Sequence, residues 1–144
     1  YNFQSGNNYL NRYFIISTIM ETKIECTAPS VRLGEKTYPC TIAVAMDLIG
    51  GKWKAVILYH LKEGEKRFSE LKKDLYSVTE TTLSIQLKQL ENDGLISKVV
   101  YGEKPPLVAI YSLTDLGKSF LPILNALTQW GNKIVLEKGT FLTG

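Results

Sequence analysis

Apolar positions recur along this chain at helical spacing in five places and as two β-rich runs in a sixth. In "CTIAVAMDLIGG", Ile42, Ala45, Met46 and Ile49 fall on one stripe that ends at Gly50 and Gly51, which predicts a first helix and its stop. The next run, "KWKAVILYHLKEG", carries Trp53, Val56, Ile57 and Tyr59 to Leu61 before Gly64. It is apolar almost all round and is expected at the centre of the core. "SELKKDLY" spaces Leu71 and Leu75 four apart with Lys72 and Lys73 outside, and Ser69 is the expected N-cap of a short third helix.

The most informative stretch is "SVTETTLSIQLKQLENDGLIS". Thr79 suits an N-cap, Val78 before it can staple onto Leu83, Gly94 suits the left-handed position after a helix, and Leu95 could then meet Leu90. A fourth helix from Thr79 to Asp93 is therefore expected. Two runs, "LISKVVY" and "LVAIYSL", flank "GEKPP" and read as a two-stranded hairpin. Thr114 then caps a last segment in which Leu116, Phe120, Leu124 and Leu127 repeat at helical spacing, kinked or divided at Pro122. Helix, helix, short helix, helix, hairpin, helix is a mainly α order with a small β-hairpin, that of a winged helix-turn-helix.

Wound at 100° per residue, the fourth helix puts Leu83, Leu87 and Leu90 on one side and Thr81, Ile85, Lys88 and Asn92 on the other, flanked by Thr82, Ser84 and Gln89. Hydroxyls, amides and free N–H groups with few acids suit a major groove. Ile85 would meet a thymine methyl, and Lys88 and Gln89 are long enough for phosphate or bases. An ordinary exposed polar face, or an Ile85 that touches another protein, is the competing reading of this helix taken alone.

The wider pattern resembles the HxlR family of bacterial winged-helix, MarR-like regulators. The resemblance runs from Cys40 to about Gly131 and is carried by "IGGKW", "RFSEL", "LS" followed by "LKQLENDGLI", "PP" with "YSLTDLG", and a tryptophan at 130. It implies a cytoplasmic homodimer on inverted-repeat, double-stranded operator DNA, with Ser69 capping the supporting helix and Thr79 to Lys88 forming the recognition helix. Ile42, Leu124, Leu127 and Trp130 would lie in dimer-forming helices, although core packing explains each of the C-terminal residues equally well. DNA contacts are thus expected from Ser69, Lys72, Lys73, Thr79, Thr81, Thr82, Ser84, Ile85, Lys88 and Gln89, with Lys104 in the wing. Two departures stand out: Thr81, Thr82 and Ile85 replace longer polar residues common in the family, and Leu107 replaces a basic one. "LVAIYSL" is also one residue longer than the common form, which predicts a bulge in the wing.

Cys40 stands where many such proteins have a cysteine before the first helix. A thiolate there would be acidified by the helix N-terminus, so a redox or electrophile switch and an incidental thiol both remain open, as does a small-molecule effector.

Charge and composition add less. A net charge of +3 permits a polyanionic partner without demanding one, and two cysteines are too few for a disulfide framework. No apolar run reaches the roughly 18 residues of a membrane span, so a cytoplasmic protein is expected. His60 with Cys26 and Cys40 makes no zinc site or nucleophile pair, and no phosphate-loop or dinucleotide fingerprint occurs. Neither metal, cofactor nor enzymatic activity is expected. Residues 1–35 read as an N-terminal extension, partly an added or upstream-read segment or disordered, 36–138 as the winged domain, and 139–144 as a tail. A winged module that binds protein rather than DNA is the alternative function.

Overall fold

The computed structural model describes residues 30–143. Cys26 and the aromatic cluster of Tyr9, Tyr13 and Phe14 lie outside the described residues. The chain divides into two units, one up to Met46 and one from Asp47 onward.

In the first unit, β1 (Val31–Leu33) and β2 (Lys36–Tyr38) pair antiparallel, Val31 opposite Tyr38. Gly34, at φ 60°, makes the turn; a side chain is disfavoured at that angle. The sequence reading has no strands here, because three-residue strands offer too little alternation to register. Helix α1 (Thr41–Ile49) follows as expected.

In the second unit, α2 (Lys54–His60) starts two residues later than its apolar run and buries Ile57 and Leu58. It is not buried all round as expected: Tyr59 is exposed, and His60 lies half-buried with Nδ1 3.6 Å from Asp74. A two-residue strand, β3 (Lys66–Arg67), leads into α3 (Phe68–Asp74). Helix α4 (Glu80–Asn92) runs as expected, and β4 (Ile96–Tyr101) and β5 (Val108–Leu113) form the hairpin.

The sheet has three strands rather than two, in the order β3-β5-β4, with Arg67 opposite Ile110. A pair of charged residues carries no periodic signal, so β3 could not be read from sequence. The expected bulge is absent: β4 and β5 pair without interruption from Ile96–Leu113 to Tyr101–Val108. Leu107 lies in the loop before β5, outside the ladder.

The last helical segment divides as Pro122 suggests, into α5 (Asp115–Ser119) and α6 (Leu121–Lys138), with the proline in the first turn of α6. There its missing N–H costs no helical bond. The core collects Ile57 and Leu58 from α2 and Leu61 just past its end, Leu71 from α3, the three leucines of α4, Ile96 and Tyr111 from the sheet, and Phe120 and Leu124. Full removal of such side chains from water stabilises by about 1.5–3 kcal/mol each. That burial fixes the inner side of α4 and so determines which side remains outside.

Candidate nucleic-acid interface

Helix α3 begins with Arg67 at the N-cap, not Ser69. The Arg67 N–H donates to the Glu70 carboxylate at 2.7 Å, so the helix start is held by an acid reaching back to the N-cap backbone rather than by a capping hydroxyl. Ser69 is an exposed residue of the first turn. The other end of α3 is held by Asp74, whose carboxylate accepts from Lys66 Nζ at 2.6 Å. The Lys66 hydrogen bond is the main reason the Asp74 carboxyl titrates below its ordinary value; desolvation opposes it, and the positive charges of Lys66, His60 and Lys73 add to it.

Between α3 and α4, Leu75 and Val78 are buried, while Ser77 is exposed and Tyr76 is 85% exposed. The carbonyl of Tyr76 accepts from Lys72 Nζ at 3.4 Å, which brings that lysine to the turn. Tyr76 was not among the residues expected to matter. Its signal was available in the leucine spacing of α3, which leaves no apolar position for it.

Thr79 caps α4 as expected, its Oγ1 accepting from the Thr82 N–H at 3.1 Å and donating to Thr82 Oγ1 at 2.9 Å. The far end closes with the Leu95 N–H bonded to the Leu90 carbonyl at 3.0 Å and Gly94 at φ 75°. Leu83, Leu87 and Leu90 are buried. Outside lie Thr81, Ser84, Lys88, Gln89 and Asn92, all exposed, and Ile85 at 49% exposure; Thr82 is half-buried. Lys88 Nζ stands 3.8 Å from the Glu91 carboxylate.

The α3–α4 set therefore shares one helix-turn-helix, whereas Lys104 sits apart, exposed in the loop of the hairpin. The hairpin itself exposes Val99, Val100, Tyr101 and Leu107. Lys98 lies over the ring of Tyr111 at 6.0 Å, and burial, then the negative charge of Glu91, pushes the Tyr111 phenol up.

The residues expected at a dimer interface do not form one group. Leu124 is 6% exposed and packs in the chain's own core, so it has no surface to offer a partner. Leu127 and Trp130 are 40% and 64% exposed, and with Ile123 and Ile134 they make an apolar stripe along α6 at spacings of four, three and four. Ile42 belongs to the first unit and is exposed. Cys40, half-buried, immediately precedes α1, and its carbonyl accepts from the Val44 N–H at 3.4 Å. Among the described residues no three His, Cys, Asp or Glu side chains group as metal ligands, and no helix is long and apolar enough to cross a membrane.

Residues 48–138 match the model of the HxlR-like helix-turn-helix family. The chain is 46% identical over 99 residues to an uncharacterized HTH-type transcriptional regulator of Methanothermobacter thermautotrophicus, covering 69% of this chain and 75% of that one. It is also similar in structure to the redox regulator HypR in its reduced form, with TM-score 0.63, 38% identity, and coverage of 67% of this chain and 97% of that one. The same regulator in its oxidized form superposes with TM-score 0.61 and 38% identity, over 65% of this chain and 96% of the other. A supporting helix, an outward-facing capped helix and a hairpin wing, with these relatives, identify the chain: it belongs to the HxlR-like helix-turn-helix family and is a DNA-binding transcriptional regulator, not an enzyme.

Proposed function

We propose that the protein acts in the cytoplasm as a homodimer that represses or activates from an inverted-repeat operator, with residues 36–138 as the working domain. The observation that carries the reading is the outer side of α4: every leucine of this helix is buried, and the face opposite them is hydroxyl, amide, one isoleucine and one lysine, with the carboxylates of Glu80, exposed, and Glu91, half-buried, toward the core side. Thr81, Ser84, Ile85 and Gln89 face the base edges. Thr79, Thr82, Ser69, Lys72, Lys73, Lys88 and Lys104 serve the backbone, together with the Tyr76 hydroxyl. Thr82 contributes mainly by holding the cap, since its hydroxyl is engaged by Thr79.

The dimer reading rests on the stripe of Ile123, Leu127, Trp130 and Ile134, which is too apolar to remain in water along three turns of helix. Two α4 helices then enter successive major grooves about 34 Å apart. A thiol-dependent response rests on Cys40 at the start of α1 and on the similarity to a regulator solved in reduced and oxidized forms. Modification of the thiol by an oxidant or electrophile alters the N-terminus of α1 and, through it, DNA affinity.

Selection of bound fragments from the source genome, followed across a salt titration, tests this function. Enrichment of an inverted repeat with a steep salt slope is expected. Binding without enrichment, or no binding under reducing and oxidising conditions, overturns it in favour of a protein-binding module.

A further inference from the structure

The outer side of α4 has a chemical bias that goes beyond a capacity to touch DNA. The helix contains no arginine, the side chain that most often reads guanine through its O6 and N7. Its one lysine, Lys88, has its Nζ 3.8 Å from the Glu91 carboxylate. The hydroxyls of Thr79 and Thr82 are tied to each other in the cap. Glu80, which could accept from cytosine, lies on the core side of the helical wheel, about 125° from the centre of the outer face at 100° per residue.

What the outer face does present is Ile85, half exposed although no packing role requires an isoleucine there, with Thr81 and the amide of Asn92 along its central line and the amide of Gln89 on its flank. An apolar side chain in the major groove finds one complementary group, the 5-methyl of thymine, and a glutamine or asparagine amide pairs bidentately with the N6 and N7 of adenine. These are the two partners of a single base pair type.

We infer that each operator half-site places A·T pairs beneath α4, with a thymine methyl packed against Ile85 and an adenine within reach of Gln89. The inference rests on the DNA-binding reading above and specifies its ligand. Ile85 is a specificity-determining residue, because a G·C pair at that step would set the isoleucine against polar edges with nothing to pair them.

The test begins with selection of duplexes from a random-sequence pool by the full chain. Each thymine of the enriched half-site is then replaced in turn by deoxyuridine, which removes one methyl group and leaves base pairing intact. One such replacement should weaken binding about fourfold, the ratio that burial of a single methyl is worth. The same replacement should have no effect on binding by Ile85→Ala, whose fold is secure because residue 85 lies outside the core. Enriched half-sites with G·C pairs throughout, or thymine methyls that all prove neutral, would overturn the inference while the DNA-binding reading stands. Absence of any salt-dependent binding in the first step would overturn both.

Discussion

Helix propensity alone says that Gly117→Ala should stabilise α5 by up to about 1 kcal/mol; the structure gives the opposite sign. A Cβ at residue 117 would lie 2.1 Å from the carbonyl oxygen of Leu95 and 3.1 Å from its carbon. Since carbon and carbonyl oxygen meet at about 3.3 Å at closest, the first turn of α5 must retreat by about 1.2 Å. It is poorly placed to do so. The Thr114 N–H bonds to that same Leu95 carbonyl at 3.1 Å, and the Thr114 hydroxyl donates to Gly94. Retreat sacrifices about one hydrogen bond, about 0.5–1.5 kcal/mol. Holding position instead costs about 1–3 kcal/mol of overpacking.

With the propensity gain of up to about 1 kcal/mol set against a cost of up to about 3 kcal/mol, the net is a destabilisation of up to about 2 kcal/mol, or up to about 8–16 °C in Tm for a domain of this size. Gly131, in the middle of α6, is the internal control, because a Cβ there meets nothing within 4 Å. Gly131→Ala should raise stability by about 0.5–1 kcal/mol. Urea denaturation followed by circular dichroism, at one fixed protein concentration, measures both. A Gly117→Ala midpoint equal to or above that of the parent chain would refute the close-approach argument.

Other expectations follow from the same geometry. Lys88→Ala should lower the slope of log affinity against log salt by about 1 per subunit; an unchanged slope means that Lys88 does not neutralise a phosphate. Asp74→Asn should cost at most about 1 kcal/mol near neutral pH, since the Lys66 pair is partly exposed. The folded-state value of Asp74 lies below its unfolded value, so its contribution is complete above about pH 4 and is lost as pH falls through the folded value. Denaturation midpoints of the two chains should therefore converge in acid, and a gap that persists there would assign the effect to packing. Trp130→Glu should convert a dimer to a monomer in analytical ultracentrifugation, whereas a mass unchanged from the parent would remove the α6 stripe from the interface. Cys40→Ser should bind operator as tightly as the parent but no longer release it on oxidation, and an undiminished response places the switch elsewhere.

The parts of the fold legible in the sequence are those set by neighbours in the chain. Thr79, Gly94 and Leu95 announced both ends of α4 because cap chemistry acts within three to five residues, and the structure has both bonds. Leu83, Leu87 and Leu90 announced its inner side for a similar reason. Ser69 misled because a good capping residue stood two positions past an N-cap whose own N–H found the Glu70 carboxylate. β3 exists only because β5 passes beside Lys66 and Arg67, and periodicity carries nothing about such distant pairing. The same limit applies to Leu124: spacing placed it on a helix face but could not say that α6 turns that face toward its own core.

The bonds that tie Thr114 to Gly94 and Leu95 have a mechanical consequence. They rivet the end of the reading helix to the start of the segment that becomes α6, and Gly117 lets the two backbones touch with no side chain to act as a cushion. Two hydrogen bonds and a direct backbone contact therefore brace this corner, with α4 as one arm. If two subunits join through the α6 stripe, the crossing angle of the long helices sets the pitch of both reading heads, and a small twist at that joint is carried to the DNA without slack.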